Sequence, residues 1–422
     1  MSLLKEGYKK TEVGVIPEDW EVKRFKDISK INQGLQIAIE DRFKEQSTNR
    51  LPYLTIQYIN DKDNKDNEFY IENANESVIC KEDEILMTRT GNTGAVITNE
   101  YGVFHNNFFK IDFDRSLLNK DYLVYYLKST EIQKIINRYA GTTTIPDLKH
   151  SDFYRIPIFI PPLKEQEKIA DILSTVDGQI DDTDMLIKKC QELKKGLMQR
   201  LLTRGIGHTE FKKTEIGEIP VEWEVKNIGK CAEVTKLAGF EFTEYMEYKE
   251  EGEIIALRAL NLKKGKLDLK DIKRIDKTVS ENLQRSKLFK GNMLFSYVGT
   301  IGEVALIQED NKYHLAPNVA KITFSNVIIP EFGVQYFTSI KLANEIKKYV
   351  TTTSQPALSM ENIRKMKIVI PSIQEQVQIA QILSSIDYEI DEYENKKQKL
   401  EDLKKGVMQQ LLTGNIRVLI NH

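Results

Sequence analysis

Two groups of amide, guanidinium and hydroxyl side chains stand out in this 422-residue chain. The first comprises Gln57, Asn60, Arg89, Thr90, Asn92, Thr93, His105, Asn106, Asn107, Thr142, Thr143 and Thr144. The second comprises Arg258, Asn261, Tyr297, Thr300, Tyr313, His314, Asn318, Thr351, Thr352, Thr353 and Gln355. Such side chains carry paired donors and acceptors. Arginine matches the major-groove edge of guanine, and asparagine or glutamine matches adenine. Any one of them equally suits a turn or a cap, so the set says more than its members.

Charge separates the two groups. From Ile254 to Lys290 there are 11 basic and 4 acidic residues, a local +7, which suits phosphate contact. Lys263 and Lys264 in this stretch are counted as DNA contacts. The matching stretch from Tyr53 to Glu84 has 3 basic and 9 acidic residues, a local −6, and is expected to face away from DNA. The whole chain balances 61 basic against 63 acidic residues, a net −2. Bulk charge therefore cannot hold it on a nucleic acid. Local patches, or a partner that shares the phosphate contacts, must do so.

Other chemistry lacks its residues. There is no GxxxxGK[ST] phosphate loop and no GxGxxG after a strand, and no Asp/Asn-Pro-Pro-Tyr/Phe sequence of an amino-methyltransferase. Glu21-Val-Lys23 and Glu224-Val-Lys226 imitate the tail of a nuclease motif, but Trp20 and Trp223 beside them point to packed structure. Five histidines show no metal-ligand spacing, and Cys80, Cys190 and Cys231 form no CxxC pair. A reduced, cytoplasmic protein is expected. The N-terminal stretch has no apolar h-region, and no run approaches the ~20 apolar residues of a membrane span.

The elements that must position the two groups are written twice. Lys10 to Lys23 reads KTEVGVIPEDWEVK and Lys213 to Lys226 reads KTEIGEIPVEWEVK. Ile160 to Asp181 reads IPPLKEQEKIADILSTVDGQID, and Ile370 to Asp391 reads IPSIQEQVQIAQILSSIDYEID. LKKGLMQRLLT from Leu193 returns as LKKGVMQQLLT from Leu403. Between these blocks only a skeleton recurs: Gly91-Asn-Thr-Gly94 answers Gly299-Thr-Ile-Gly302, and Asn60 answers Asn261. A repeat this long means duplicated domains rather than a solenoid.

After the prolines, apolar residues step by four and three, the spacing of a coiled coil. The first stripe is Ile169, Leu173, Val176, Ile180, Thr183, Ile187, Cys190, Leu193 or Lys194, Leu197 and Leu201. The second is Ile379, Leu383, Ile386, Ile390, Tyr393, Lys397, Leu400, Leu403 or Lys404, Val407 and Leu411. Each predicts a helix of ~40 residues, ~60 Å long. An antiparallel pair would relate the halves by a pseudo-two-fold axis. Gly196 and Gly406 interrupt both helices. A close approach by the other helix or a partner, or a frayed last turn, would account for them.

The variable stretches read as α+β globules. Strands are predicted at Leu51 to Ile59, Glu84 to Thr90, Gly94 to Thr98, Phe108 to Phe113 and Arg155 to Ile160, with a helix over Tyr122 to Tyr139. The second copy predicts strands at Glu253 to Leu262, Asn292 to Val298, Glu303 to Ile307, Val319 to Phe324 and Lys367 to Ile370, with a helix over Glu331 to Tyr349. The expected architecture is α+β, with domains at 1–160 and 206–370, a first spacer helix at 161–205, and a second spacer helix with a C-terminal tail at 371–422.

The repeated helix blocks, the paired openings and the variable–fixed–variable–fixed order resemble the specificity subunit of Type I restriction–modification systems over essentially the full length. The resemblance implies a non-catalytic chain with two target-recognition domains, each reading one half of a split double-stranded DNA target. It implies an antiparallel coiled coil that sets the spacer. The implied partners are two methyltransferase subunits, which use S-adenosylmethionine, and endonuclease–translocase subunits, which use ATP and Mg. The fixed segments are then the methyltransferase docking regions. A coiled-coil adaptor with protein-binding loops is the competing reading, and a single-chain enzyme is a third. Sequence-dependent DNA binding separates the first two.

Overall fold

The computed structural model describes residues 6–141, 146–350 and 356–418. The chain divides into two compact units: residues 1–184 with 395–422, and residues 185–394. Each unit thus holds one domain and half of each long helix. Among the described residues no helix is long and apolar enough to cross a membrane.

Both domains use one plan. Each opens with a hairpin, Tyr8–Thr11 with Gly14–Pro17 or Phe211–Thr214 with Gly217–Pro220. A fully buried tryptophan follows, Trp20 or Trp223, and then a strand that pairs with the last strand of the domain. The nuclease-like EVK sequences are these strands, Glu21–Arg24 and Glu224–Asn227.

The central sheet is antiparallel in both. In the first domain its order is Ser29–Gln33, Phe108–Phe113, Ile85–Thr88, Val96–Thr98. In the second it is Ala232–Lys236, Val319–Phe324, Met293–Ser296, Val304–Leu306. A smaller sheet contains one parallel pair in each domain, Arg50–Leu54 beside Gly102–Phe104 and Ile254–Leu257 beside Tyr313–Leu315. Helices Lys120–Lys128 and Thr130–Ala140, or Pro330–Phe337 and Ile340–Tyr349, pack into the same cores as the central sheets.

Four expected elements differ, two in each domain. The strands predicted to reach Ile59 and Leu262 stop at Leu54 and Leu257. Thr55 Oγ1 accepts a hydrogen bond from the Tyr58 amide and starts the helix Ile56–Asn60 instead. Arg258 likewise begins a 3-10 turn, Ala259–Asn261. The single helices predicted over 122–139 and 331–349 are each two, broken at Ser129 and at Thr338-Ser339.

The long helices run Leu163–Arg204 and Ile373–Leu412. Every position of the two heptad stripes is buried or half-buried. Where the sequence offered two residues, the lysine faces the seam: Lys194 and Lys404 are half-buried, whereas Leu193 and Leu403 are exposed. In the first unit Ile169 and Leu173 share a core with Leu411, Val407 and Met408, and Lys397 pairs with Asp184 at 2.7 Å. In the second unit Leu201 and Leu202 share a core with Ile379 and Leu383, and Lys194 pairs with Asp387 at 2.6 Å. The pairing is antiparallel in both units. Gly196 and Gly406 have open space around them, and the helices run on well beyond both. Neither contact with the other helix nor a frayed end accounts for them.

The start of each long helix is tied down by a buried Glu-Gln pair. Gln166 Oε1 accepts from the Asn119 amide, and its Nε2 donates to the Leu117 and Pro161 carbonyls. Gln376 repeats this with the Ile329 amide and the Val327 and Pro371 carbonyls. Glu165 accepts from Trp20 Nε1 at 3.0 Å and from the Arg417 guanidinium at 2.8 Å. Glu375 accepts from Trp223 Nε1 at 2.8 Å and from the Ile206 amide at 2.8 Å, with His208 Nε2 3.0 Å away. Glu375→Ala strands these donors in a buried site, and an unsatisfied buried group costs about 1–3 kcal/mol. The variant is expected to lose about 3 kcal/mol or more in urea unfolding, and Glu165→Ala a similar amount.

Candidate nucleic-acid interface

In both domains three backbone stretches converge on the glycine turn. The Arg89 amide donates to the Asn107 carbonyl and the Leu148 amide to the Arg89 carbonyl. The second domain repeats this with Tyr297, Asn318 and Leu358. A hydroxyl braces each turn from inside: Thr88 Oγ1 donates to the Asn92 carbonyl, and Ser296 Oγ to the Thr300 carbonyl at 2.6 Å. All four glycines of the two turns have positive φ. A Cβ on Gly94 would also lie 2.8 Å from Ile136 Cγ2, so the GNTG and GTIG sequences are conformational requirements.

In the second domain this frame borders a cavity of about 600 Å³. Arg258, Lys263, Thr300 and Asn318, all expected from the sequence, line it together. Phe242 and Tyr248 supply an aromatic wall, with ring centroids 5.7 Å apart. Burial pushes the Tyr248 and Tyr297 phenols up. Arg258 donates to Asp271 Oδ1 at 2.8 Å. Lys263 and Lys264 are exposed, and neither has an ion pair among the described residues. They sit on a tight hairpin whose turn residues, Lys264 and Gly265, both have positive φ. The Glu303 carboxylate accepts the Lys264 amide at 2.8 Å and holds that turn. Lysine rarely takes this conformation, and here the residue is exposed.

The first domain exposes Gln57, Asn60 and Asn92. Arg89 is engaged by Asp147 through two hydrogen bonds of 3.0 Å. Thr93 Oγ1 donates to the Pro146 carbonyl at 2.9 Å and so holds the segment that follows the Thr-rich stretch. Asn107 is half-buried, and its amide donates to His105 Nδ1.

Several expected contacts are internal. Asn261 is fully buried. Its Oδ1 accepts from the Arg258 amide, and its Nδ2 donates to the Asp268 and Asp271 carbonyls. It fastens a turn and cannot reach a base. Nor is it the counterpart of Asn60. The Leu54 carbonyl accepts the His105 amide as the Leu257 carbonyl accepts the Ala316 amide, which sets Tyr58 opposite Asn261. Tyr313 and His314 are buried in the parallel pair, and burial lowers the His314 pKa. Thr142, Thr143, Thr144, Thr351, Thr352, Thr353 and Gln355 lie outside the described residues.

The sequence reading missed the segment that follows the first strand of each central sheet. It carries exposed Leu35 and Ile39 in one domain and exposed Phe240 and Tyr245 in the other. In the first domain Arg50 lies over Phe43 at 3.6 Å and Lys44 over Phe69 at 3.9 Å. The interleaved aromatic and charged residues of Phe240 to Tyr248 were the available signal.

A family model described as the Type I restriction modification DNA specificity domain matches residues 17–191 and again residues 220–402. The chain belongs to that family. Each specificity domain begins at the last residue of an opening hairpin, Pro17 or Pro220, and ends within a long helix. The chain is similar to the Type I restriction enzyme MjaVIII specificity subunit of Methanocaldococcus jannaschii, at 29% identity over 98% of this chain and 97% of the relative. It is also similar to the EcoKI specificity subunit of Escherichia coli, at 22% identity over 96% and 90%. Among solved structures, the S subunit of a Type I system from M. genitalium superposes with a TM-score of 0.57 at 16% identity, covering 93% of this chain and 96% of that one. That likeness shows the fold.

Lys263→Ala and Lys264→Ala each remove one cation. Each is expected to lower the slope of log affinity against log salt by about 1 and to weaken binding alike across sequences. Fluorescence anisotropy over a salt series reads both effects.

Proposed function

We propose that this chain is the specificity subunit of a Type I restriction–modification complex, and that each of its domains reads one half of a split double-stranded DNA target. The observation that carries this reading is a scaffold whose sheet order, glycine-turn bonds and helix-start glutamine bonds recur in both domains while unlike side chains are displayed at like positions. Two copies of one binding domain that read the same sequence would have no need of different loops. The DNA-facing residues are Gln57 and Asn60, which precede the first carboxylate of the acidic stretch at Asp61, with Asn92, Asn107 and Arg89 in the first domain, and Arg258, Lys263, Lys264, Thr300 and Asn318 in the second; the carboxylates from Asp61 to Glu84 face away. Arg89 and Arg258 would exchange their carboxylate partners for DNA on binding.

The two helices fix the distance between the half-sites and dock two methyltransferase subunits, and endonuclease–translocase subunits join that assembly. S-adenosylmethionine, ATP and Mg belong to those partners, and the complex acts in the cytoplasm. Exposed Leu193 and Leu403, three residues before Gly196 and Gly406, offer each docking face an apolar side chain beside open backbone. Partner methyltransferases supply much of the phosphate neutralisation, which agrees with a chain of net charge −2.

Exchange of residues 24–155 for those of a relative with another target tests the reading. Methylome sequencing of a host carrying the chimera is expected to show one half of the methylated motif changed and the other kept. Changes in both halves, or in neither, would contradict it.

A further inference from the structure

We propose that Leu260 is a base-reading residue of the second domain and that it contacts the 5-methyl group of a thymine in the major groove. The inference rests on the DNA-reading role and adds a residue and a base chemistry to it.

The first observation is positional. The backbone bonds of Leu54 and Leu257 place the two domains in register at the end of the parallel strand. Counted from there, the next residue starts a helical turn in both domains, Thr55 or Arg258. The second residue of each turn is Gln57 in one domain and Leu260 in the other. Both are exposed. The same site on the shared scaffold therefore shows an amide in one copy and an isobutyl group in the other.

The second observation is energetic. Leu260 is 52% exposed and borders the cavity lined by Lys263 and Asn318. A free loop would fold such a side chain inward, since burial of a leucine stabilises by about 1.5–3 kcal/mol. This turn cannot do so. The three hydrogen bonds of buried Asn261 hold it from the next position, and the Arg258–Asp271 pair holds it from the side. The leucine is held out where a ligand can cover it.

The third observation is electrostatic. Lys263 and Lys264 stand three and four residues away and are exposed, so the covering surface is anionic around an apolar point. The major-groove edges of DNA contain one apolar group, the thymine methyl, and it is flanked by phosphates. A glutamine at the same site in the first domain suits adenine. One position then reads the two members of an A·T pair by two chemistries.

The test uses the full chain purified with its methyltransferase, on duplexes carrying the motif that methylome sequencing has identified. Each thymine of the second half-site is replaced in turn by deoxyuridine, which removes only the methyl group. One replacement is expected to weaken binding by wild type about fourfold, the worth of one apolar carbon. Leu260→Ala is expected to be indifferent to that replacement while retaining the wild-type melting temperature. A Leu260→Ala protein that stays sensitive at that position overturns the inference. So does a wild type indifferent to every replacement, or a half-site without thymine. In those cases the DNA-reading role stands. A wild-type complex that binds a duplex lacking the motif as tightly as the motif duplex removes both.

Discussion

A carboxylate buried at the start of each long helix is the constraint on which the rest depends. Glu165 and Glu375 are out of solvent, and a buried charge survives only if donors surround it. Three parts of the chain meet there. The tryptophan belongs to the domain before the helix. The carboxylate sits in the first turn of the helix itself. The third group, Arg417 in one unit and His208 in the other, follows the end of the other helix. A chain that satisfies both carboxylates must bring the end of each helix to the start of its partner, and only an antiparallel pair does this. The seam adds its own condition. Lys194 meets Asp387 and Lys404 meets Asp177, polar pairs that specify register at some expense of stability.

The domains hang from the same points. Tyr125 donates to Asp177 and Gln335 Nε2 to Asp387, so the residues that set helix register also hold each domain against its helices. Rigidity is passed outward through the central sheet, the hydroxyl-braced glycine turn and the parallel strand. The loops at the end of that path differ between the domains while the frame recurs. This division of labour allows one duplicated fold to carry two specificities: the frame is repeated in sequence and the displayed residues are not.

The frame was legible in the sequence because it is periodic and doubled. The heptad stripes, three of the four central-sheet strands in each domain and the buried tryptophans follow from pattern alone, whereas the first strand of each sheet, Ser29–Gln33 or Ala232–Lys236, was not expected. The step at Leu193 or Lys194 did not, since hydrophobicity favours leucine and the deciding partner, Asp387, lies on the other helix. The ends of the strands were overrun because the Thr55 cap after Leu54 and the buried Asn261 amide after Leu257 outweighed a run of strand-forming residues. The displayed residues were the least legible. Asn261 has the chemistry of a base reader and is an internal brace, while Leu260 beside it looks like filler and is held in solvent. Side-chain type does not separate display from bracing; burial and bonded partners do.

The central claim is mechanical: the antiparallel pair sets the distance between two independent readings. Removal of residues 184–190 and 391–397 takes one heptad from each helix, a rise of about 10 Å, and leaves both buried carboxylates and both domains intact. Methylome sequencing of a host carrying this variant reads the outcome directly. The account predicts both half-sites unchanged and a spacer shorter by about three base pairs. An unchanged spacer in a folded, active complex, or an altered half-site, would contradict it.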